Sequence, residues 1–328
     1  MTFQRNNIIL GFDTSCYTTS IAAISLDKKV ILNEKRILEV KKDCKGLRQS
    51  EAVFQHVNNL GEMSKAIKHK LENYNIVGVC SSSKPRPIDD SYMPVFTVGL
   101  NFGKLISSIN NCPFFETSHQ ENHIEASLLN NQLKNENEFL TVHMSGGTTE
   151  ILLVNKKTDG YNIYIVGGSL DVSFGQLIDR LGVKIGCSFP CGKYIDEKAL
   201  NCNKEIRQGL KTSVKNGYMN LSGIENQINK LLDGYEKDYI CKLLLDTLTR
   251  CMYKSLLYIC KEYKINEILF AGGVSASKYI SGNLSNKLEK EKMNCYFTEN
   301  QYATDNGLGC AIIGLNQINN YVECLYET

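Results

Sequence analysis

The chain carries almost no excess charge: 37 Lys and Arg against 35 Asp and Glu leave a formal net charge of +2 over 328 residues. A protein that meets nucleic acid with its whole surface would be strongly basic, so any RNA contact has to come from a local patch or from a helper protein. No apolar run reaches the roughly 18 residues that a membrane-spanning helix needs. The opening segment from Met1 to Asn7 is polar, unlike the apolar core of a secretory leader. No Cys-x-x-Cys pair occurs among the 13 cysteines, and a scatter of thiols through a long chain does not suit a small disulfide framework. The expectation is a reduced, cytoplasmic protein, not bound to membrane, with mostly buried thiols. Cys187 and Cys191, four apart, read as structural in preference to a metal site or a redox pair. Proline is scarce, and three of the five prolines fall between Ser83 and Pro94, which marks a loop.

What is present is a core-forming composition, 42% hydrophobic, and a repeated local pattern. The apolar run Asn7–Gly11 leads into Asp13-Thr14-Ser15, and Ser20–Ser25 returns as a second strand. Phe139–Met144 leads into Ser145-Gly146-Gly147-Thr148-Thr149, and Glu150–Val154 returns. Helices are expected over Ser50–Lys70, Val98–Asn110, Ser118–Leu129, Ser173–Leu181 and Lys237–Tyr263. Strands are expected at Ile76–Ser81 and Glu267–Ala271, and a last helix just after Thr304-Asp305-Asn306. A strand, a hydroxyl-rich turn and a returning strand thus occur twice, which predicts an α/β protein of the actin-like ATPase fold with two duplicated subdomains, 1–135 and 136–328, and a ligand cleft between them. A generic doubly wound sheet would explain the alternation but not the paired hairpins.

Three features carry chemistry. Ser145–Thr149 follows a strand, and its two glycines let the backbone approach a ligand while amides and hydroxyls suit phosphate oxygens. Ala271-Gly272-Gly273-Val274 also follows a strand and suits packing against an adenosine. His119 and His123 lie four apart on one helical face and can pin a divalent metal with a carboxylate from elsewhere, or be surface or capping histidines. Asp305 is the best third ligand, and it or Thr304 would equally serve as a helix N-cap. Gln120 occupies the place where a His-Glu-x-x-His metalloprotease helix needs glutamate, and Glu121 is one residue off register, which disfavours a zinc protease. Gln176 and Asp179 share one side of a helix placed at Asp171–Gly182, as part of a site or as a solvated face.

Taken in order, these pieces resemble the TsaD family of tRNA threonylcarbamoyl transferases, formerly described as O-sialoglycoprotein endopeptidases. The resemblance runs from Gly11-Phe-Asp-Thr-Ser15 through His119-x-x-x-His123, Ser145-Gly-Gly147, the helix Asp171–Arg180, Pro190-Cys-Gly192 with Ile195-Asp196, Leu221-Ser-Gly223 and Gly272-Gly-Val274 to Thr304-Asp-Asn306. It implies one divalent metal (Fe2+ or Zn2+) held by His119, His123 and Asp305. It implies that Met144, Ser145, Gly146, Gly147, Thr148, Asp179, Gly192, Asp196 and Ser277 hold an adenine nucleotide or threonylcarbamoyl-adenylate. The reaction it implies moves the threonylcarbamoyl group to the adenosine 3′ of a tRNA anticodon. The implied partners are tRNA with TsaB- or TsaE-type proteins, or a homodimer.

The sequence departs from the family pattern at Thr148, where the family has histidine, and at Ser277, where it has asparagine. Val172 and Gln176 replace an alanine and a glutamate, Phe54 replaces an arginine while His56 is kept, and Lys84–Asp90 replaces a glycine-rich loop. The metal ligands are retained and the nucleotide shell is altered, the pattern of a divergent paralogue. The alternatives to transfer onto tRNA are a non-catalytic or regulatory partner of another family member, or carbamoyl transfer to a different acceptor. Basic side chains at Lys41, Lys42, Lys45 and Arg48, and at Lys84 and Arg86, are the candidate RNA patches.

Overall fold

Strand β1 (Asn7–Thr14) shows why this chain builds a layered fold. Its residues alternate between two apolar surroundings, so it must be covered on both faces. Ile8, Leu10 and Phe12 join a core with Leu60, Met63 and Val98, and burying a side chain such as Phe12 is worth about 1.5–3 kcal/mol. Ile9 and Gly11 face the other way, against the C-terminal helix. The computed structural model describes residues 6–15, 17–40, 47–157, 160–299 and 301–326. Lys41, Lys42 and Lys45 lie outside them.

After β1 come β2 (Thr18–Ser25), β3 (Val30–Ile37), α1 (Gln49–Leu71), β4 (Asn75–Lys84), α2 (Phe96–Asn110), β5 (Phe114–Ser118) and α3 (His119–Leu128). The sheet order is β3-β2-β1-β4-β5; β1 is antiparallel to β2 and parallel to β4, and β4 is parallel to β5. The chain continues through β6 (Glu138–Met144), β7 (Thr149–Lys157), β8 (Gly160–Ser169), α4 (Phe174–Lys184), α5 (Gly192–Asn201), β9 (Ser213–Lys215), β10 (Tyr218–Asn220) and α6 (Ser222–Asn229). It ends with α7 (Lys237–Tyr263), β11 (Glu267–Ala271), α8 (Lys278–Glu289), β12 (Asn294–Phe297) and α9 (Leu308–Tyr326). The second sheet runs β12-β11-β6-β7-β8-β10-β9. Its β6 is antiparallel to β7 and parallel to β11, which is parallel to β12. The five strands β8-β7-β6-β11-β12 therefore repeat the order of β3-β2-β1-β4-β5, and the duplication read from two hairpins extends to whole sheets.

The chain divides into two units: Met1–Asn130 with Lys157–Asn162 and Thr304–Thr328, and Asn131–Lys156 with Ile163–Ala303. A single division near residue 135 does not describe this, because the C-terminal segment returns to the first unit. The reason is backbone packing: a Cβ on Gly11 would lie 2.2 Å from the Gly307 carbonyl oxygen, and one on Gly309 would lie 1.9 Å from that of Asn122. Asn122 seals the crossing of α3 and α9, donating to the Asn306 carbonyl (2.7 Å) and accepting from the Cys310 amide (2.9 Å). This close approach sets Asp305, just before α9, beside α3.

Replacing Gly309 with alanine should force α9 off α3 and lower stability by about 1–3 kcal/mol. Gly282 lies within α8, where an added Cβ meets nothing within 4 Å. There alanine should stabilise by about 0.5–1 kcal/mol through its helix propensity. Urea midpoints of the two variants, moving in opposite directions, check the packing argument.

Candidate metal centre and nucleotide turns

The alternation of β1 puts Asp13 on the same face as Ile9 and Gly11. Because β1, β4 and β5 are parallel, their carboxyl ends align, and Asp13, Ser82 and Ser118 reach one edge of the sheet together. Ligands of open α/β sheets bind outside such strand ends. Asp13 is fully buried. It accepts a hydrogen bond from the Ser82 hydroxyl, and its two oxygens lie 3.0 and 3.1 Å from Nδ1 of His119.

His119 opens α3, which is capped by a reciprocal pair: Ser118 Oγ accepts from the Glu121 amide, and the Glu121 carboxylate accepts from the Ser118 amide at 2.9 Å. Thr117 and Ser118 hydroxyls also donate to Glu121. Glu121 is thus committed to holding the helix start, which removes what remained of the metalloprotease reading. One turn on, Nε2 of His123 lies 3.1 Å from Nε2 of His119 and 3.2 Å from Asp305 Oδ1. Ser15 donates to the other Asp305 oxygen at 3.0 Å. The cap of α9 belongs to Asn306, whose side chain accepts from the Leu308 amide, so the capping role considered for Thr304 or Asp305 falls to the next residue.

The ligand atoms of His119, His123 and Asp305 all lie within 4.8 Å of one another, the one such cluster among the described residues. Two imidazole nitrogens and a carboxylate oxygen converging on one point match the two-His-one-carboxylate donor set, which leaves positions open for a substrate. Asp13 completes it: by accepting the Nδ1 proton it fixes the His119 tautomer whose Nε2 lone pair faces the centre. Burial opposes charge on His119, but Asp13 and then Asp305 outweigh it and push its pKa up to about 9. Burial likewise opposes the charge of Asp305, yet His123 and His119 hold it well below the usual carboxylate range. Without a cation the two carboxylates favour a proton on His119, and a divalent cation would supply that positive charge in its place.

His56 serves the turn instead. It is fully buried, and burial lowers its pKa. The neutral ring donates from Nε2 to the Ser15 carbonyl and accepts at Nδ1 from Thr19, both at 2.8 Å. It therefore anchors the loop that carries Ser15.

In the second unit, Met144 is buried and Ser145–Thr148 closes β6 to β7 through the Ser145 amide and the Thr148 carbonyl at 2.8 Å. An added Cβ on Gly146 or Gly147 meets no atom within 4 Å, so these glycines border open space. Ser173, the cap of α4, donates to the Gly146 carbonyl at 2.8 Å. Gly272, at φ +90°, brings the end of β11 so near that a Cβ would lie 2.3 Å from the Met144 carbonyl oxygen. The three segments thus form one rim. The expected carboxylates are occupied by backbone. Asp179 accepts from the Cys191 amide at 2.8 Å, fixing the start of α5 at Gly192. Asp196 accepts from the Ser277 hydroxyl and from the Lys278 and Tyr279 amides, capping α8. Asp171 does not begin α4, which starts at Phe174 with a Ser173–Gln176 capping box. Asp171 instead accepts from the Leu221 and Ser222 amides and caps α6. Cys191 is buried, its thiol pushed up to about 12, chiefly by burial; it and Cys187 are free thiols.

The residues that sequence reasoning passed over are Ser82 and Asn122, and Ser15 stood there only as part of the first turn. Asp13 was visible only as the first residue of the turn Asp13-Thr14-Ser15; nothing local says that its partner lies 106 residues away. Lys84 and Arg86 sit in and after β4, half-buried, and the Pro85 carbonyl accepts from the Gln120 amide, which ties that loop to the start of α3. No helix among the described residues is long and apolar enough to cross a membrane.

The family described as "TsaD: tRNA N6-adenosine threonylcarbamoyltransferase" matches residues 49–312. A protein of that name from Sulfurihydrogenibium sp. is 29% identical, over 94% of this chain and 89% of its own. One from Fusobacterium nucleatum is 24% identical, over 91% and 88%. Among solved structures, a full-length HypF in a phosphate- and nucleotide-bound form is similar with a TM-score of 0.59 at 15% identity; the match takes in 97% of this chain and 56% of that one. An activator of 2-hydroxyisocaproyl-CoA dehydratase from Clostridium difficile, with bound ADPNP, has a TM-score of 0.52 at 11% identity, covering 96% and 97%. The structural likenesses establish the fold alone, and it is the actin-like ATPase fold expected from the paired hairpins.

Purified protein should bind about one divalent ion per chain. His123→Ala should abolish that binding without unfolding the chain, and Asp13→Asn should weaken it by about 10- to 100-fold. Metal analysis alongside circular dichroism measures both; metal retained in His123→Ala would remove the site.

Proposed function

The chain belongs to the TsaD family of tRNA N6-adenosine threonylcarbamoyltransferases, and from that premise we propose that it transfers a threonylcarbamoyl group from threonylcarbamoyl-adenylate to the adenosine 3′ of a tRNA anticodon, using one divalent metal. The observation that carries this reading is the convergence of His119, His123 and Asp305 with Asp13 behind them. A binding module has no need of two histidines and a carboxylate brought to one point.

Fe2+ and Zn2+ both suit the donor set. When bound, such an ion supplies a positive charge against the negative charge that builds on the substrate. The chain's own residues do the rest by positioning. Asp13 holds the His119 ring, Ser15 holds Asp305, and His56 holds the Ser15 loop. The Ser145 hydroxyl and the Ser145 and Thr148 amides close the turn on itself, which leaves the Gly146 and Gly147 amides and the Thr148 hydroxyl for an adenylate. In the transfer, the adenosine N6 forms a bond to the carbamoyl carbon and gives up its proton as the bond to the adenylate oxygen breaks and AMP leaves. The amine is a poor nucleophile, so orientation should contribute much of the rate. Partner proteins of the TsaB and TsaE type, or a second copy of this chain, belong to the same reading.

One feature favours a second reading, a non-catalytic paralogue that assists another family member. Both oxygens of Asp196 and the hydroxyl of Ser277 are consumed in capping α8, so these two residues have less to offer an adenylate. Reconstitution with threonine, bicarbonate, ATP, the adenylate-forming enzyme, partner proteins and unmodified tRNA separates the two. The expected result is threonylcarbamoyladenosine on mass-spectrometric nucleoside analysis, reduced more than 100-fold by Asp305→Ala and strongly reduced by Gly146→Val. No product from the wild-type chain under these conditions favours the assisting role or a different acceptor.

A further inference from the structure

Between α5 and β9 the chain runs from residue 203 to 212 without helix or strand, yet it is pinned near both ends. Lys242 donates to the Cys202 and Lys204 carbonyls, both at 2.9 Å. Arg250 donates to the Leu210 carbonyl at 3.2 Å. Gln227 brackets Lys211, accepting from its amide at 2.9 Å and donating to its carbonyl at 3.1 Å. A loop held near both ends in this way has less freedom to lose, so a ligand that meets its side chains has less to order.

The loop forms one wall of a hollow of about 940 Å3 within the second unit, the upper end of the size range of ligand clefts. Four cations line it, Lys204, Arg207, Lys211 and Lys230, against one carboxylate, Glu205. Lys204 pairs with Glu236 at 3.0 Å, whereas Arg207, Lys211 and Lys230 have no acidic partner among the described residues. In a chain of net charge +2, this is a local concentration of positive charge. The far wall is aromatic. Tyr235 and Tyr239 stack with ring centroids 5.2 Å apart and planes 22° from parallel. Tyr239 packs against the core, and Tyr235 is 52% exposed. One ring is therefore anchored, and the other is held against it with a face toward solvent.

Unpaired cations beside an anchored aromatic platform are the two elements with which proteins hold single-stranded nucleic acid: charge follows the phosphates and the ring stacks a base. We propose that this hollow binds a single-stranded stretch of the RNA substrate. The proposal rests on the reading that RNA is the acceptor, and it gives that reading its contact surface. Helix α5 runs between Gly192, which the family resemblance gives to the adenylate, and the hollow. Gly192 stands at its start and the hollow opens beyond its end, ten residues later, about 15 Å along the axis. Flanking nucleotides would be held there while the reacting base is held elsewhere. An acidic protein segment could use the cations but would gain little from an open tyrosine face.

The test measures binding of fluorescein-labelled oligouridylate to the full chain by anisotropy across a salt series. Tyr235→Ala should weaken binding about tenfold, and Tyr235→Phe should leave it within twofold. The triple variant Arg207→Glu, Lys211→Glu, Lys230→Glu should weaken it more than tenfold and flatten the slope of log K against log salt by about 2, since each single-strand phosphate contact contributes about 0.7. All these residues are exposed, and thermal melts should match the wild type. Unchanged affinity in both loss variants overturns the proposal. So does equal loss of oligouridylate and heparin binding in the charge variant with no effect of Tyr235→Ala, the mark of a general polyanion surface, or loss of binding to an acidic peptide alone. Carbamoyl transfer assayed in parallel keeps the two readings apart: RNA bound through the hollow without product contradicts the transferase reading only, and full turnover with Tyr235→Ala and the charge variant contradicts the hollow only.

Discussion

The candidate centre depends on one buried contact, that of the Asp13 carboxylate with Nδ1 of His119. A carboxylate with no exposed surface is costly unless each oxygen is matched. Here the match is supplied by the Ser82 hydroxyl on β4 and the histidine that opens α3. Three parallel strand ends are thereby tied at one point, and the imidazole is oriented with its other nitrogen toward His123 and Asp305. Removing Asp13 would leave His119 free to rotate and Ser82 without its acceptor, so the same residue serves the sheet edge and the candidate centre.

The second support is steric. Asp305 is useful only if the chain, after the whole second unit, returns to α3. Gly11, Gly307 and Gly309 permit that return because the backbones of β1, α3 and α9 come closer than any Cβ would allow. The second unit uses the same device at Gly272, which seats the end of β11 on β6. The duplicated strand order thus carries a duplicated arrangement: a hydroxyl-bearing hairpin turn next to the carboxyl ends of parallel strands. In the first unit that edge carries the candidate metal donor set, and in the second a glycine rim.

Much of this was legible in the sequence where local periodicity and local caps decide the outcome. Helix α7 and strand β11 have the bounds read from their apolar patterns, and Ser118 and Ser173 each stand three residues before the Glu or Gln that completes a capping box. The His119–His123 spacing and Asp305 were readable as candidate ligands. Strand β3 was missed because it lies at a sheet edge with a half-exposed, mixed pattern, VILNEKRI, and β5 because five residues after a proline carry little signal. What escaped altogether was long-range: Asp13 to His119, Asp171 to the amides of α6, Asp196 to those of α8. Each is a carboxylate near a turn in the sequence, and its partner is fixed only by how the elements pack.

The most direct measurement of the central claim is anomalous diffraction from crystals grown with Fe2+ or Zn2+, collected on both sides of the metal edge. Metal held at this centre gives a single strong peak bonded to Nε2 of His119, Nε2 of His123 and a carboxylate oxygen of Asp305, with Asp13 still on Nδ1 of His119. A peak at other residues, such as the thiols of Cys187 and Cys191, or no peak in crystals whose protein binds the metal in solution, would contradict it.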